Sequence, residues 1–272
     1  MNDAQLLGCG ASMGVPVIGC RCAVCTSRDP RNQRLRSSML VRAERPAEDP
    51  MALPITLLVD CGPDFRAQAL RTHLDRLDAV LITHAHMDHI GGIDDLRAFT
   101  VDGQGPLPLI CHESAVEDLR MRHHYMLQTR EGKKHPQLTL EVLHGDLGEF
   151  SFAGETIQWI TFDQMGTLVV GYRLGDLAYI TDMCEPPERL GEFLQGVQTL
   201  VLSALQRKSH AYFLSVAEAV ALAQQWKVPR TILTHLSHDV DAVSVSATLP
   251  PSVELGYDGL AIEWSRLTPR KS

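Results

Sequence analysis

Short apolar stretches alternate along this chain with polar turns rich in glycine and proline, and their spacing predicts strands more often than helices. Gln5–Gly8, Ser38–Arg42, Ile55–Asp60, Asp78–Thr83 and Thr231–Thr234 read as strands, and 138–180 as a series of short strands joined by glycine turns. Three segments carry a helical period. They are 64–75, with Phe65, Ala69 and Leu70 on one side, then 113–131, and the alanine-rich Ser215–Trp226. The last has Ser215 or a neighbour as N-cap and Pro229 beyond its end. Residues 13–36 are loop-like, punctuated by Gly14, Pro16, Gly19 and Pro30, and Glu44–Pro50 reads as a polar surface excursion. No repeat, low-complexity tract or linker interrupts the pattern. Two blocks of strands with intervening helices predict a layered α/β architecture over one domain, 1–272.

Composition narrows this picture. With 44% hydrophobic and 21% charged residues the chain belongs with soluble globular proteins rather than disordered ones. Its apolar runs are too short to span a bilayer, and its first residues lack the basic flank and apolar core of a secretory signal. A cytoplasmic location without membrane association is expected. The formal charge of −8 argues against broad nucleic-acid binding, which needs a basic surface, and favours a small-molecule substrate. Of the seven cysteines, Cys9, Cys61, Cys111 and Cys184 are scattered and read as reduced thiols.

The candidate chemistry begins at Thr83-His84-Ala85-His86-Met87-Asp88-His89, which follows a predicted strand directly. Alternate residues of an extended chain face the same way, so His84 and His86 can reach one ion. A turn into helix would then swing Asp88 and His89 toward a second. Imidazole and carboxylate donors suit zinc, manganese or ferrous iron. A second cluster, Cys20-Arg-Cys22-Ala-Val-Cys25, offers three thiolates. Zinc needs a fourth donor, and His238 is the candidate, because His235 can face one way while His238 turns to the cysteine loop. That structural zinc would staple the N-terminal loop, about 13–36.

The H-x-H-x-D-H run, His84, His86, Asp88 and His89, resembles the signature of the metallo-β-lactamase superfamily. Ala178–Asp182 is similar to the strand bearing that superfamily's bridging aspartate, and Thr231–His235 to the strand bearing its late histidine. The resemblance implies an α/β fold of four αββα layers, two mixed sheets flanked by helices. It implies a first metal on His84, His86 and Asp182 and a second on Asp88, His89, Asp182 and His235. The superfamily's further histidine on the first metal has no counterpart in Thr161–Gly166; of Asp163, Gln164 and Met165 there, Asp163 is the expected substitute, the other readings being a weaker or a vacant first site. Gly8–Pro16, the cysteine loop, Arg36–Ser38, His89–Arg97, Thr234–His238 and Gly256–Gly259 resemble the phosphoribosyl 1,2-cyclic phosphate phosphodiesterase (PhnP-like) subgroup, over Leu6 to about Ile262. That resemblance implies hydrolysis of a small cyclic phosphodiester by a metal-bridging hydroxide, with two catalytic zinc or manganese ions and one structural zinc. Asp88 would orient the water, and His210 would act as general acid. Arg97, Arg120, Arg122, His123, His124, Arg207 and Lys208 are candidates to hold a terminal phosphate. A homodimer is expected of the subgroup. Two alternatives stand beside this reading: a tRNA-processing nuclease of the same fold, and a weakly active metal-binding protein that lacks one histidine ligand.

Overall fold

The computed structural model describes residues 2–45, 53–100, 105–129 and 136–266. The Glu44–Pro50 excursion therefore falls largely outside the described residues. The first half of the chain supplies β1 (Asn2–Gly8), β2 (Ser38–Ala43), β3 (Ile55–Val59), β4 (Ala79–Leu81), β5 (Leu107–His112) and β6 (Leu138–Leu143). The second half supplies β7 (Leu147–Phe152), β8 (Glu155–Gln164), β9 (Thr167–Leu174), β10 (Leu177–Ile180), β11 (Thr199–Ser203), β12 (Arg230–Thr234), β13 (Val253–Leu255) and β14 (Ala261–Trp264). They form two mixed seven-stranded sheets, ordered β14-β1-β2-β3-β4-β5-β6 and β13-β12-β11-β10-β9-β8-β7.

Alternation along the strands explains the layers. Met39, Val41, Leu57 and Val59 of one sheet meet Tyr172, Tyr179, Val201 and Ile232 of the other in a buried central core. The opposite faces carry their own apolar rows. Leu40, Leu58 and Val80 pack against Phe65 of helix α1 (Phe65–Arg71) and, after helix α2 (Met87–Ile90), against Leu119 and Met126 of α3 (Val116–Leu127). Leu200, Leu202 and Leu233 pack against α4 (Leu190–Phe193) and α5 (Val216–Gln225). The order is helix, sheet, sheet, helix, as the resemblance implied.

Local signals hold where they are strongest. Ser215 caps α5 in a capping box with Glu218. Helix α1 departs from the expectation: it buries Phe65 and Gln68 while Leu70 is 60% exposed. The cause is polar, since the Gln68 amide donates to Arg36 O at 2.9 Å and fixes which face turns inward. Helix α3 is kinked at His123, whose φ and ψ are −122° and 24°.

What matters for the site is strand direction. β3, β4, β5 and β6 run parallel, as do β10, β11, β12 and β13. Each parallel block delivers the residues after its strands to one edge, where such sheets place their ligands. Among the described residues no helix is long and apolar enough to cross a membrane.

Candidate metal centre

Four strand ends build the site. Asp60 follows β3, His84 follows β4 by a short extension, Asp182 follows β10 and His235 follows β12. Asp60, Asp182 and His235 all adopt left-handed backbone, with φ of 60°, 55° and 56°. That conformation is costly for a residue with a Cβ, and it collects at functional sites because surrounding structure enforces it. Here it bends each strand end so that the side chain enters the space between the sheets.

The H-x-H-x-D-H run behaves as its spacing implies. His86, in extended backbone, precedes the short helix α2, which carries Asp88 and His89. His84 Nε2 and His86 Nδ1 converge to 2.9 Å. His89 Nε2 lies 3.3 Å from both Asp88 and Asp182, and His235 Nε2 lies 3.2 Å from Asp182 and 3.6 Å from Asp88. His84, His89 and Asp182 present donors within 4.8 Å of one another, and so do Asp88, His89 and His235. Six residues that the sequence singled out are thus brought together from three segments: His84, His86, Asp88, His89, Asp182 and His235.

A buried support residue escaped the sequence analysis. Asp60 is fully buried and accepts from Thr83 N at 2.8 Å, from Thr83 Oγ1 and, at 2.7 Å, from His89 Nδ1. It fixes the tautomer of His89, leaving Nε2 as the donor atom turned to the site. The turn after Asp60 fits only because Gly62 and Gly92 lack side chains: a Cβ on either would sit 2.1 Å from a backbone oxygen, of Asp88 and of Gly62 respectively. An aspartate ending an apolar strand just before Cys61-Gly62 was the available signal. Asp60→Asn is expected to lower affinity for the ion at His89 by about 10–100-fold, which metal titration with a chelating dye would measure.

The electrostatics fit cations. Burial alone would push Asp88 and Asp182 up, yet His235 and His89 outweigh it and hold both carboxyls well below their usual range. Burial likewise opposes charge on His89, but Asp60 and Asp182 overcome it and retain its proton. The carboxylates around His89 therefore favour positive charge, which a cation on the Nε2 of the neutral ring would supply in place of that proton. His89 Nε2 and both ring nitrogens of His235 are buried without any hydrogen-bond partner. Such orphaned donors are costly unless an ion occupies the space between them. The donor set, imidazole plus carboxylate, matches zinc or manganese.

The cysteine cluster also assembles. Cys20, Cys22 and Cys25 place their sulfurs 3.3, 3.7 and 3.4 Å from His238 Nδ1. Tetrahedral zinc would separate sulfur and nitrogen ligands by about 3.6 Å, so the four donors fit one zinc. The backbone N–H of Cys25 leads the effects that lower the Cys22 thiol to about 6, while burial raises Cys25 to about 11. The loop is tied down a second time by Arg34, which sequence reading missed. Its buried guanidinium donates to Arg31 O, Ser237 O and Val240 O at 3.0, 3.0 and 2.7 Å.

Asp163 is not brought to the cluster, contrary to expectation. The period of two along β8 turns it outward, and its carboxylate accepts the Gly166 N–H at 3.1 Å. It caps a turn in which Met165 and Gly166 both have positive φ. Gln164 points the other way and is buried, its amide donating to Tyr212 O at 3.5 Å. His210 stands at the rim, exposed. Its Nδ1 accepts from Tyr212 N at 3.2 Å, and its ring lies 6.2 Å from Phe213, which in turn stacks 5.7 Å from His235. Among the candidate phosphate ligands, Arg122 donates to Ala85 O at 2.8 Å and so lies against the histidine motif. Arg97 pairs with Asp94, His123 is buried, and Arg120, His124, Arg207 and Lys208 are exposed.

Comparison with known proteins agrees with this geometry. The model of the beta-lactamase superfamily domain matches residues 56–236. A crystal structure of a new diphosphatase from the PhnP family superposes with a TM-score of 0.86 at 33% identity, covering 98% of this chain and 99% of the other. The chain belongs to the beta-lactamase superfamily, within the PhnP family. The zinc-bound PqqB of Methylobacterium extorquens shares the fold, with a TM-score of 0.73 at 17% identity over 96% of this chain and 99% of its own. An octanoyltransferase of Porphyromonas gingivalis is 35% identical over 257 residues, which is 94% of this chain and 50% of that protein. The chain thus spans about half the length of that curated relative.

Proposed function

We propose that the chain hydrolyses a small phosphodiester, such as phosphoribosyl 1,2-cyclic phosphate, with two divalent cations at the buried centre and a structural zinc at the cysteine loop. The observation that carries this reading is the meeting of Asp88, His89, Asp182 and His235 around unpartnered imidazole nitrogens. Its likeness to a diphosphatase at 33% identity supports a phosphorus centre as the point of attack. His84, His86 and Asp182 would hold one ion, and Asp88, His89, Asp182 and His235 the other, with zinc or manganese suited to both. At such a centre divalent cations supply activation of water near neutral pH and neutralisation of charge building on the phosphoryl oxygens.

The chain's own residues do the rest. Asp182 would be shared by the two donor sets, and Asp88 would orient water. His210 Nδ1 accepts a backbone N–H, which leaves Nε2 as the nitrogen free to face a departing alkoxide; as general acid the ring would donate from the imidazolium form, Nδ1 taking a proton in place of that backbone hydrogen bond. An open cleft of about 370 Å³ lined by Phe162, Met165, Cys184 and Ala211, with the carboxylates Asp163 and Glu185 also on its wall, borders the loops of Asp182 and His210, a size suited to a small molecule.

The test uses leaving groups of different basicity. His210→Ala is expected to slow hydrolysis of an alkyl phosphodiester by about 10²–10⁴-fold. Bis-(p-nitrophenyl) phosphate, whose leaving group needs no proton, should be affected far less. Equal losses on both substrates would remove the general-acid role. Salt-sensitive binding of tRNA with cleavage would favour the nuclease reading instead, and full metal loading without turnover would favour a metal-binding protein.

A further inference from the structure

The segment Gly256-Tyr-Asp-Gly259 contributes no donor to either cluster, yet it stands one contact behind His235. Asp258 lies in the turn between β13 and β14, and its side chain is buried. Its Oδ1 accepts the backbone N–H of Cys9 at 3.0 Å, and its Oδ2 that of Leu35 at 2.9 Å, with the Arg71 guanidinium 3.5 Å from Oδ2. One carboxylate therefore holds two adjacent stretches of backbone. These run side by side, Gly10 N donating to Leu35 O at 2.7 Å and Ser37 N to Gly10 O at 3.0 Å.

The first of these stretches grips the residue after His235. Leu236 N donates to Cys9 O at 2.7 Å, and Ala11 N to Leu236 O at 3.1 Å. On the other side of His235, Thr234 O accepts from Ala204 N at 2.9 Å. His235 has a φ of 56°, which a residue with a Cβ keeps only when its surroundings enforce it. Cys9 is thus held at its N–H by Asp258 and holds Leu236 through its carbonyl. We propose that Asp258 is a positioning residue, fixing through Cys9 and Leu236 the strained backbone that presents the His235 imidazole to the buried centre. An amide in its place would turn an NH2 group toward one of the two backbone N–H donors and leave that donor unpaired. Cys9 would then be free to shift, and His235 to relax. The proposal rests on the reading of His235 as a metal ligand, but its readout is the surroundings of the ion rather than turnover.

The experiment is NMR of the cadmium-loaded protein with a parallel cadmium titration, at a pH well above the value of about 6 to which burial raises the Asp258 carboxyl. Cadmium on thiolates and cadmium on nitrogen and oxygen resonate far apart, so the cysteine loop and the buried centre report separately. Asp258→Asn is expected to move or broaden the signal of the buried centre and weaken cadmium there by about 10–100-fold. The cysteine-loop signal should stay, which shows that the chain is folded around Thr234–His238. In a His235→Ala background, Asp258→Asn should weaken cadmium no further, because the two act on one contact. An unchanged signal and affinity in Asp258→Asn, or a full further loss in the His235→Ala background, would overturn the proposal. So would disappearance of both signals, which would make Asp258 a general support of the fold. Cadmium bound by the wild type at the cysteine loop alone would instead overturn the metal-centre reading beneath it.

Discussion

Asp182→Asn is expected to reduce hydrolysis by on the order of a thousandfold or more while leaving the cysteine-loop zinc in place. The substitution keeps the volume of a fully buried side chain and the hydrogen bond from Thr181 Oγ1 at 2.7 Å, so the strand end should survive. What disappears is the one carboxylate that lies against both donor sets. His89 and His235 would each lose a negative neighbour at about the distance where such pairing is strongest in a buried site. Metal content and steady-state rates, measured on the same sample, check this. Near-normal rates with both ions retained would sink the idea that Asp182 is shared.

The second large effect concerns stability. Cys22→Ser is expected to remove one zinc per chain and lower the melting temperature by about 10 °C. A ligand present at a thousandfold over its dissociation constant stabilises the folded state by about 4 kcal/mol, and in chains of this size each kcal/mol moves the midpoint by about 2–4 °C. Activity should fall as well, because His238 and His235 share the short segment Thr234–His238, and Leu236 between them is clamped by Ala11 N and Cys9 O at 3.1 and 2.7 Å. Losing the staple therefore loosens the backbone that presents His235. Calorimetry with and without a strong chelator measures the effect: the wild type should respond to the chelator and Cys22→Ser should not. An unchanged zinc count in Cys22→Ser would end the structural-zinc assignment. The Arg34 anchor should keep the loop partly docked, since its three backbone contacts need no metal.

The chemistry of this protein was legible wherever it is local. His84, His86, Asp88 and His89 are neighbours in the chain, and the change from strand to helix after His86 distributes them between two donor sets by period alone. Cys20, Cys22 and Cys25 are close-spaced in the same way, and Ser215 with Glu218 signals the start of its helix. Asp182 and His235 were readable only through the resemblance, which matched the strands that end in them; the fold shows why it holds, since parallel strands bring such ends to a common edge. The contacts that only the folded chain decides join segments far apart in sequence. Asp60 is one strand-end aspartate among several until His89 and Thr83 close on it. Arg34 looks like any loop arginine until Ser237 and Val240 surround it. Asp163 looked like a ligand by chemistry, but the pleat of β8 and the capping need of a two-residue turn directed it to solvent and buried Gln164 instead. Donor type and short-range spacing are written in the sequence, because bond lengths and the helix and strand periods act on neighbours. Which side of a strand faces the ions, and how much charge each ion meets, depends on packing between the two sheets.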